Sequence, residues 1–274
     1  MVVVHLPSSG VAASSPSARS GSRGVVRALR QTIRSIETGA GRGRPAAIPL
    51  GVAPIDDALG GGLAHAAFHE IAAARASAIA AASGFALALA SRAGDARAVL
   101  WIAEDMGLIE NGAPHGPGLD DLDLAPERLV TIAAAKSRDV LWAMEEALRC
   151  RAVGAVVGDI RSTDRGIDLL ASRRLSLAAG RSEACAFLLR TAPGTEASAA
   201  ATRWVIAAAP SASATGPGPP RLSVHLTRNR RGPVGSWQLE WNCVEQRFDL
   251  ASSLSQPVAD AAGDRPHRAA AAGA

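Results

Sequence analysis

Between Pro45 and Leu250 the chain alternates between short apolar runs and longer runs with helical spacing. The central short runs are apolar at nearly every position, as in parallel strands that are buried on both faces. Such an alternation is typical of an α/β fold with a mostly parallel central sheet. The predicted strands are residues 67–71, 98–102, 130–133, 155–157, 185–189, 204–208, 222–227 and 237–241, and the predicted helices are residues 78–91, 138–151 and 166–179.

The last two predicted strands have a different pattern. Trp237, Leu239 and Trp241 alternate with the polar Gln238 and Glu240, and a turn rich in Gly and Pro precedes them. Strict alternation indicates a strand with one buried and one solvated face. The sequence therefore predicts an antiparallel hairpin at one edge of the sheet.

The two ends of the chain lack periodicity. Residues 1–22 and 251–274 are rich in Ser, Ala, Gly and Pro, so we expect both to be disordered and the core domain to span residues 45–250. The start has no basic region ahead of its short apolar run, which argues against a signal peptide. No stretch of about 18 uncharged apolar residues occurs, so we expect no membrane contact and a cytoplasmic protein.

Residues 23–44 are predicted to form an amphipathic helix followed by a linker rich in Gly and Arg. Leu29 and Ile33 recur at helical spacing, and Arg27, Arg30 and Arg34 lie mostly around the other face. Two interpretations remain open. The helix either docks on its own domain with a solvated arginine face or grips a partner protein or nucleic acid.

Two residue types limit the chemistry that the chain can perform. Cys150, Cys185 and Cys243 are too far apart to serve together as metal ligands, so we expect free buried thiols and no metal site. The 29 cationic residues include a single lysine, Lys136, although the net charge is only +4. The commonest ATP-binding loop requires a lysine at a fixed place, which makes the position of Lys136 important.

Residues 48–74 resemble the start of the RecA recombinase core. Gly51, Asp56 or Asp57, and three glycines at 60–62 precede a strand that ends in Glu70 and Ile71. The similarity continues in order through AVLWIAEDM, AVVGDI, CAFLLR and LTRNRRGPVGSWQLEWN, over about 200 residues. With the basic helix in front, this ordered set resembles the inducible mutagenesis protein A (ImuA) family. The resemblance implies a RecA-like core of the P-loop NTPase fold.

A working phosphate loop, G-x-x-x-x-G-K-[ST], wraps phosphates in backbone N–H groups and places a lysine against them. Counted from Glu70, the two loop glycines fall on Ala73 and Ala78, and the lysine falls on Ile79. Alanines do not readily adopt the positive φ values that glycines supply to such a loop. This alignment therefore predicts a degenerate phosphate loop.

An alternative register uses Gly84 and puts Phe85 in the place of the lysine. Neither register supplies a lysine, although Arg75 could contribute positive charge near the phosphates. We therefore expect no cofactor and no efficient ATP hydrolysis. Weak binding of ATP and magnesium remains the alternative.

Two acidic residues at strand ends match further positions of the recombinase. The resemblance implies that Glu104 corresponds to the glutamate that activates water and Asp159 to the aspartate that orients magnesium. They are either the remnant of a catalytic site or exposed acids at the carboxyl ends of strands.

Four arginines match recombinase positions that communicate with DNA or with a neighbouring subunit. Arg190 stands where the recombinase has a glutamine that senses the γ phosphate, so the resemblance implies that this switch is missing. Arg228, Arg230 and Arg231 match a basic pair that in recombinase filaments reaches the neighbouring subunit's nucleotide. They either contact a subunit or nucleic acid or belong to a solvated hairpin turn.

The resemblance implies a non-catalytic or weakly catalytic accessory protein in SOS mutagenesis and translesion DNA synthesis. The partners it implies are an inactive Y-family polymerase homologue (ImuB-like), an error-prone replicative-type DNA polymerase and RecA itself. Direct DNA contact and self-association stay open. The alternatives are a DNA-stimulated ATPase and a SulA-like inhibitor of cell division.

Overall fold

The computed structural model describes residues 47–114, 116–161, 167–211 and 218–251. Contacts divide the chain into residues 1–46 and 47–274, and every described residue belongs to the second unit. The predicted basic helix and the predicted tail beyond Ala251 lie outside the described residues.

A central mixed sheet forms the core of this unit, and in its described part it contains nine strands in the order β11-β10-β9-β8-β3-β7-β6-β4-β5. Strands β3 to β8 pair in parallel, whereas β8, β9, β10 and β11 pair antiparallel. The strands are β3 (Phe68–Ala73), β4 (Ala98–Glu104), β5 (Leu129–Ala134), β6 (Val153–Ile160), β7 (Cys185–Arg190), β8 (Thr202–Ala209), β9 (Arg221–Asn229), β10 (Gly235–Asn242) and β11 (Arg247–Leu250). The predicted α/β class with a mostly parallel sheet is confirmed.

Helices cover the parallel half of the sheet on both faces. One face packs against α2 (Ile79–Gly94), and the other packs against α5 (Ser137–Ala147) and α6 (Leu169–Arg181). Shorter helices are α1 (Ala53–Leu59), α3 (Asp105–Asn111) and α4 (Gly116–Asp120), and a separate two-stranded ladder pairs β1 (Ala47–Ile48) with β2 (Leu63–Ala64).

Helix α2 is apolar around most of its circumference because it is a core helix. Segment Ala76–Gly94 is long and apolar enough to cross a membrane by length and hydropathy alone, but 56% of it is buried within the fold. Phe85 is fully buried and lies in tilted contact with Trp204 of β8 and Phe248 of β11. These aromatic contacts join the antiparallel strands to the helix.

All eight predicted strands and all three predicted long helices are present, but some boundaries differ. Helix α5 ends at Ala147, so residues up to Arg151 form a turn instead of the predicted last helical turn. The predicted hairpin exists as β9 and β10, but β11 continues the sheet beyond it, so the hairpin is not the edge. Strand β11 has only four residues, too few for a clear periodic pattern.

The motif ahead of β3 has a structural role. The carboxylate of Asp56 accepts hydrogen bonds from the backbone N–H groups of Leu50 (2.8 Å) and Gly51 (3.0 Å), which fastens the chain leading into α1. Gly60 ends that helix in the left-handed conformation, with φ of 74°. Asp56, not Asp57, is therefore the aspartate that organises this segment.

The prediction of three buried thiols is wrong for two of them. Cys185 is buried in β7, and burial raises the pKa of its thiol to about 11. Cys150 and Cys243 are exposed because they lie in turns after α5 and β10.

Candidate functional site

The predicted acidic residues lie on adjacent strands at the carboxyl edge of the parallel sheet. Glu104 ends β4, and Asp159 is the penultimate residue of β6, where it pairs in register with Ala103. Their exposed fractions are only 7% and 2%. The interpretation of these residues as exposed acids is therefore wrong. The neighbouring Asp105 is the exposed acid, and its carboxylate accepts from the Met106 N–H.

Arg161 joins the two carboxylates. Its Nε lies 2.6 Å from Asp159 Oδ1 and its Nη2 lies 2.7 Å from Asp159 Oδ2, which makes a bidentate ion pair. The backbone N–H of Arg161 also donates to Glu104 Oε2 at 2.8 Å. The Arg161 side chain is only 13% exposed, so water screens this ion pair weakly. The resemblance to the recombinase did not indicate a role for Arg161.

Burial raises the pKa of the Asp159 carboxyl above its ordinary value. The hydrogen bonds and charge of Arg161 oppose that shift, and the charge of Glu104 adds to it. The Arg161 guanidinium already neutralises the Asp159 carboxylate, so a magnesium ion there would compete with a buried cation. Among the described residues, no group of three or more His, Cys, Asp or Glu side chains could hold a metal ion. Glu104 and Asp159 are the two carboxylates at this edge, and both are engaged by Arg161.

The connection between β3 and α2 contains a 3₁₀ turn. Strand β3 ends at Ala73, and a 3₁₀ turn begins at Ala76, so only Ala74 and Arg75 lie between them. The N–H of Ala74 donates to the Ile206 carbonyl (2.8 Å), and the N–H of Ala78 donates to the Arg75 carbonyl (2.9 Å). These donors bond to the protein's own backbone, which leaves fewer of them for a ligand.

The side chains that take the loop positions serve packing. Ala73 and Ala78 are buried, and Ile79 packs against the core on the α2 side. Arg75 is exposed, and its Nε donates to Ser77 Oγ at 3.0 Å. In the alternative register, the lysine place belongs to Phe85, which is fully buried in the aromatic cluster. Both registers therefore put a core side chain where a lysine would be needed.

A cavity of about 400 Å³ lies beside the start of α2 and includes Ile79, Ser83, Gly84, Trp101 and Arg161 in its lining. Its walls are largely apolar, and Arg161 brings the charge, already paired with Asp159. The shape offers space for a small molecule, but the chemistry is unlike that of a triphosphate site, which needs several free donors and cations.

Arg190 lies at the end of β7 and faces the loop that connects this strand to β8. Its Nη1 is 3.4 Å from Glu196 Oε2 in that loop. Arg228 of β9 donates from Nη1 to the Ser198 carbonyl at 2.7 Å, so it fastens the same loop. Burial and nearby arginines lower the pKa of Arg228.

Glu70 and Arg203 join Arg190 and Arg228 in one polar network around this loop. The sequence did not predict a role for Glu70 or Arg203 in it. Arg203 Nε lies 2.6 Å from Glu70 Oε2, and Arg203 Nη2 donates to the Glu196 carbonyl at 2.6 Å. The hydroxyl of Ser198 donates to Glu70 Oε1. Because four strands and the loop share these bonds, we assign Arg190 and Arg228 to bracing the loop.

Arg230 and Arg231 lie in the exposed turn between β9 and β10. Their turn is tied to α1 through Asn229, whose side-chain amide donates to the Ala58 carbonyl at 2.8 Å. Of the four predicted contact arginines, these two are exposed. The five predicted contact residues of the basic helix, Arg27, Leu29, Arg30, Ile33 and Arg34, lie outside the described residues.

Among known proteins, the chain is similar in sequence to proteins of one name. No protein-family model matches the chain. Two curated proteins are each 34% identical to it over 156 residues, and both are called Protein ImuA. They come from Caulobacter vibrioides strains NA1000 / CB15N and ATCC 19089 / CIP 103742 / CB 15. The similarity covers 52% of this chain and 60% of each relative, so the chain spans less than two thirds of the proteins it matches.

Proposed function

The similarity supports membership of this chain in the ImuA family, and on that premise we propose that it is an accessory protein of DNA damage-induced mutagenesis. It acts through protein contacts, and its core is a RecA-like domain that has lost ordinary ATP hydrolysis. The observation that carries the loss of ordinary ATP hydrolysis is the bidentate pair of Asp159 with Arg161, because a buried guanidinium occupies the carboxylate that would otherwise face nucleotide-bound magnesium.

The arrangement of the strands supports a RecA-like core. Strand β3 is in the middle of the sheet, between β7 and β8, and the connection that corresponds to a phosphate loop follows it. Glu104, Asp159 and Arg190 follow in chain order at the ends of β4, β6 and β7. All three residues thus lie at the same edge of the sheet as that connection, where ligands bind in open α/β folds.

The burial and internal bonding of Glu104 and Asp159 argue against catalysis at this edge. General base catalysis requires a carboxylate that can reach water or substrate. Glu104 is 7% exposed and accepts from the Arg161 backbone, while Asp159 is held in its ion pair. Removing a charge from such a pair is costly, because the remaining charge stays buried.

The partners of this proposal are an inactive Y-family polymerase homologue, an error-prone replicative-type polymerase and RecA. Arg230 and Arg231, exposed in the β9–β10 turn, offer one cationic contact for such a partner or for DNA.

The proposal is tested in cells that lack this gene, by measuring the frequency of mutation after ultraviolet damage. We expect the wild-type gene to restore damage-induced mutation. An Asp159→Asn gene should lose stability but, where its protein accumulates to the wild-type level, restore mutation nearly as well, because no turnover is required. Arg75→Ala, in the connection after β3, is the matched control variant, and it is also expected to restore damage-induced mutation. An equal mutation frequency with and without the wild-type gene would contradict the proposed role. Loss of function in Asp159→Asn, with normal protein levels, would contradict the non-catalytic mechanism.

A further inference from the structure

Large apolar side chains are exposed along two neighbouring helices. Trp142 of α5 is 60% exposed, and Leu170 and Leu177 of α6 are 66% and 60% exposed. A groove runs between the helices as two adjoining cavities of about 520 and 680 Å³. Glu145 and Arg174 line both cavities and pair across the groove at 2.8 Å. We call this surface the α5–α6 groove. Exposed clusters of this kind mark binding surfaces, and Trp is enriched at their centres.

The α5–α6 groove carries positive charge at one end. The cavity beside Leu177 is lined by five arginines and two glutamates, and the arginines include Arg149, Arg151 and Arg181. An occupant must therefore combine apolar side chains with negative charge. Two copies meeting groove to groove would bring like charges together, which disfavours a symmetric contact.

The chain carries a complementary surface on α3. Met106 and Ile109 are 58% and 77% exposed, and Asp105 and Glu110 are exposed beside them. We call these four residues the α3 patch. They belong to a segment, residues 98–127, that contains seven acidic residues and no lysine or arginine. The α3 patch thus has the combination of apolar anchors and negative charge that the groove requires.

The two surfaces lie on opposite faces of the sheet. Leu108 of α3 packs against the core cluster on the α2 side, whereas the buried residues of α5 and α6 belong to the cluster on the other side. A single chain therefore cannot place its own α3 patch in its own groove. A second copy can do so, and its own groove then stays open for a third.

We propose that the α3 patch of one copy docks in the α5–α6 groove of the next. The contact is heterologous, so copies assemble head to tail into a closed ring or an open series and do not stop at a symmetric dimer. Apolar anchors stabilise the contact, and the opposite charges orient it.

The full chain is examined by sedimentation velocity at increasing concentration. We expect the mass to rise above that of the monomer, and to fall back when salt rises from about 50 mM to about 500 mM, because salt screens the charge contribution. Leu170→Asp damages the groove and Ile109→Asp damages the α3 patch, so each variant alone is expected to sediment as a monomer. Their equimolar mixture has one intact groove and one intact patch, and it is expected to form a dimer that grows no further.

Val244→Asp is the matched control, since Val244 is 92% exposed in the turn after β10 and outside both surfaces. This variant is expected to assemble like the wild type. A wild type that stays monomeric at every concentration would overturn the proposal, as would a monomeric mixture of the two folded variants. Assembly of either single variant to the wild-type mass would overturn it as well. Circular dichroism of each variant establishes that the fold is intact.

Discussion

His69 in β3 is fully buried, and both of its ring nitrogens have partners. Nε2 lies 3.0 Å from the Ala64 carbonyl, which can only accept, so Nε2 carries the proton. Nδ1 then accepts from the Thr202 hydroxyl at 2.8 Å, and the Trp204 indole N–H donates to that hydroxyl oxygen at 2.7 Å. The neutral ring is satisfied, and burial lowers the pKa of His69 to about 4.

This histidine makes the folded state sensitive to acid. In the unfolded chain the pKa of His69 returns to its ordinary value of 6.5, so between that pH and about 4 the unfolded state binds the extra proton. We expect the free energy of unfolding to fall by about 1.4 kcal/mol per pH unit across this window. Urea titrations between neutral and mildly acidic pH measure the loss. His69→Gln should be less stable at neutral pH but less dependent on pH, and an equal pH dependence in both proteins would refute the assignment.

The candidate site could be predicted from the sequence only in part. The positions of Glu104 and Asp159 at strand ends followed from the order of apolar runs and from the family resemblance. The bond of Asp159 to Arg161 could not be predicted in this way, because it depends on burial and on the side-chain conformation that burial selects. The spacing of Asp159 and Arg161 was a usable signal for their contact, because residues two apart in extended backbone project to the same side.

At the scale of elements, the packing of α2 on the sheet depends on glycine at one position. A Cβ on Gly154, at the start of β6, would collide with the backbone of Gly94 at the end of α2. Gly84 lies inside α2, and a Cβ there would meet nothing within 4 Å. The two glycines therefore give opposite expectations for the same substitution.

We expect Gly154→Ala to destabilise the fold by about 1–3 kcal/mol, since helix and strand must move apart. Gly84→Ala should stabilise it by about 0.5–1 kcal/mol, because alanine has the higher helix propensity. Denaturant midpoints of the two variants and the wild type measure both effects. Stabilisation by Gly154→Ala would disprove the close contact between α2 and β6, and a loss at Gly84 would assign that glycine a role beyond the helix.

The long elements could be predicted, and the short ones could not. Strands such as β6 and helices such as α5 are long enough for their apolar periodicity to be clear. Helices α1 and α3 have seven residues each, so a periodic pattern covers barely two turns. Local side-chain bonds help to fix where such a helix lies, as the bonds from Leu50 and Gly51 to Asp56 show ahead of α1.

At the scale of the whole molecule, the sheet combines a parallel half with an antiparallel half. The alternation of strands and helices predicted the first half, and the polar alternation in β10 predicted the second. The order of the strands could not be read from the residues, because it depends on contacts between segments far apart in the chain, such as β3 with β7 and β8. Parallel pairing in that order puts the ends of β4, β6 and β7 side by side at one edge.

The central claim is that this edge does not use nucleotide. It is tested most directly by the binding of ATP with magnesium to the purified full chain, followed by phosphate release with and without single-stranded DNA. The account predicts no saturable binding up to about 1 mM ATP, a limit that corresponds to about −4 kcal/mol. It also predicts the same phosphate release from the wild type and Asp159→Asn. Saturable binding with DNA-stimulated turnover that Asp159→Asn abolishes would contradict the account and identify the protein as an ATPase.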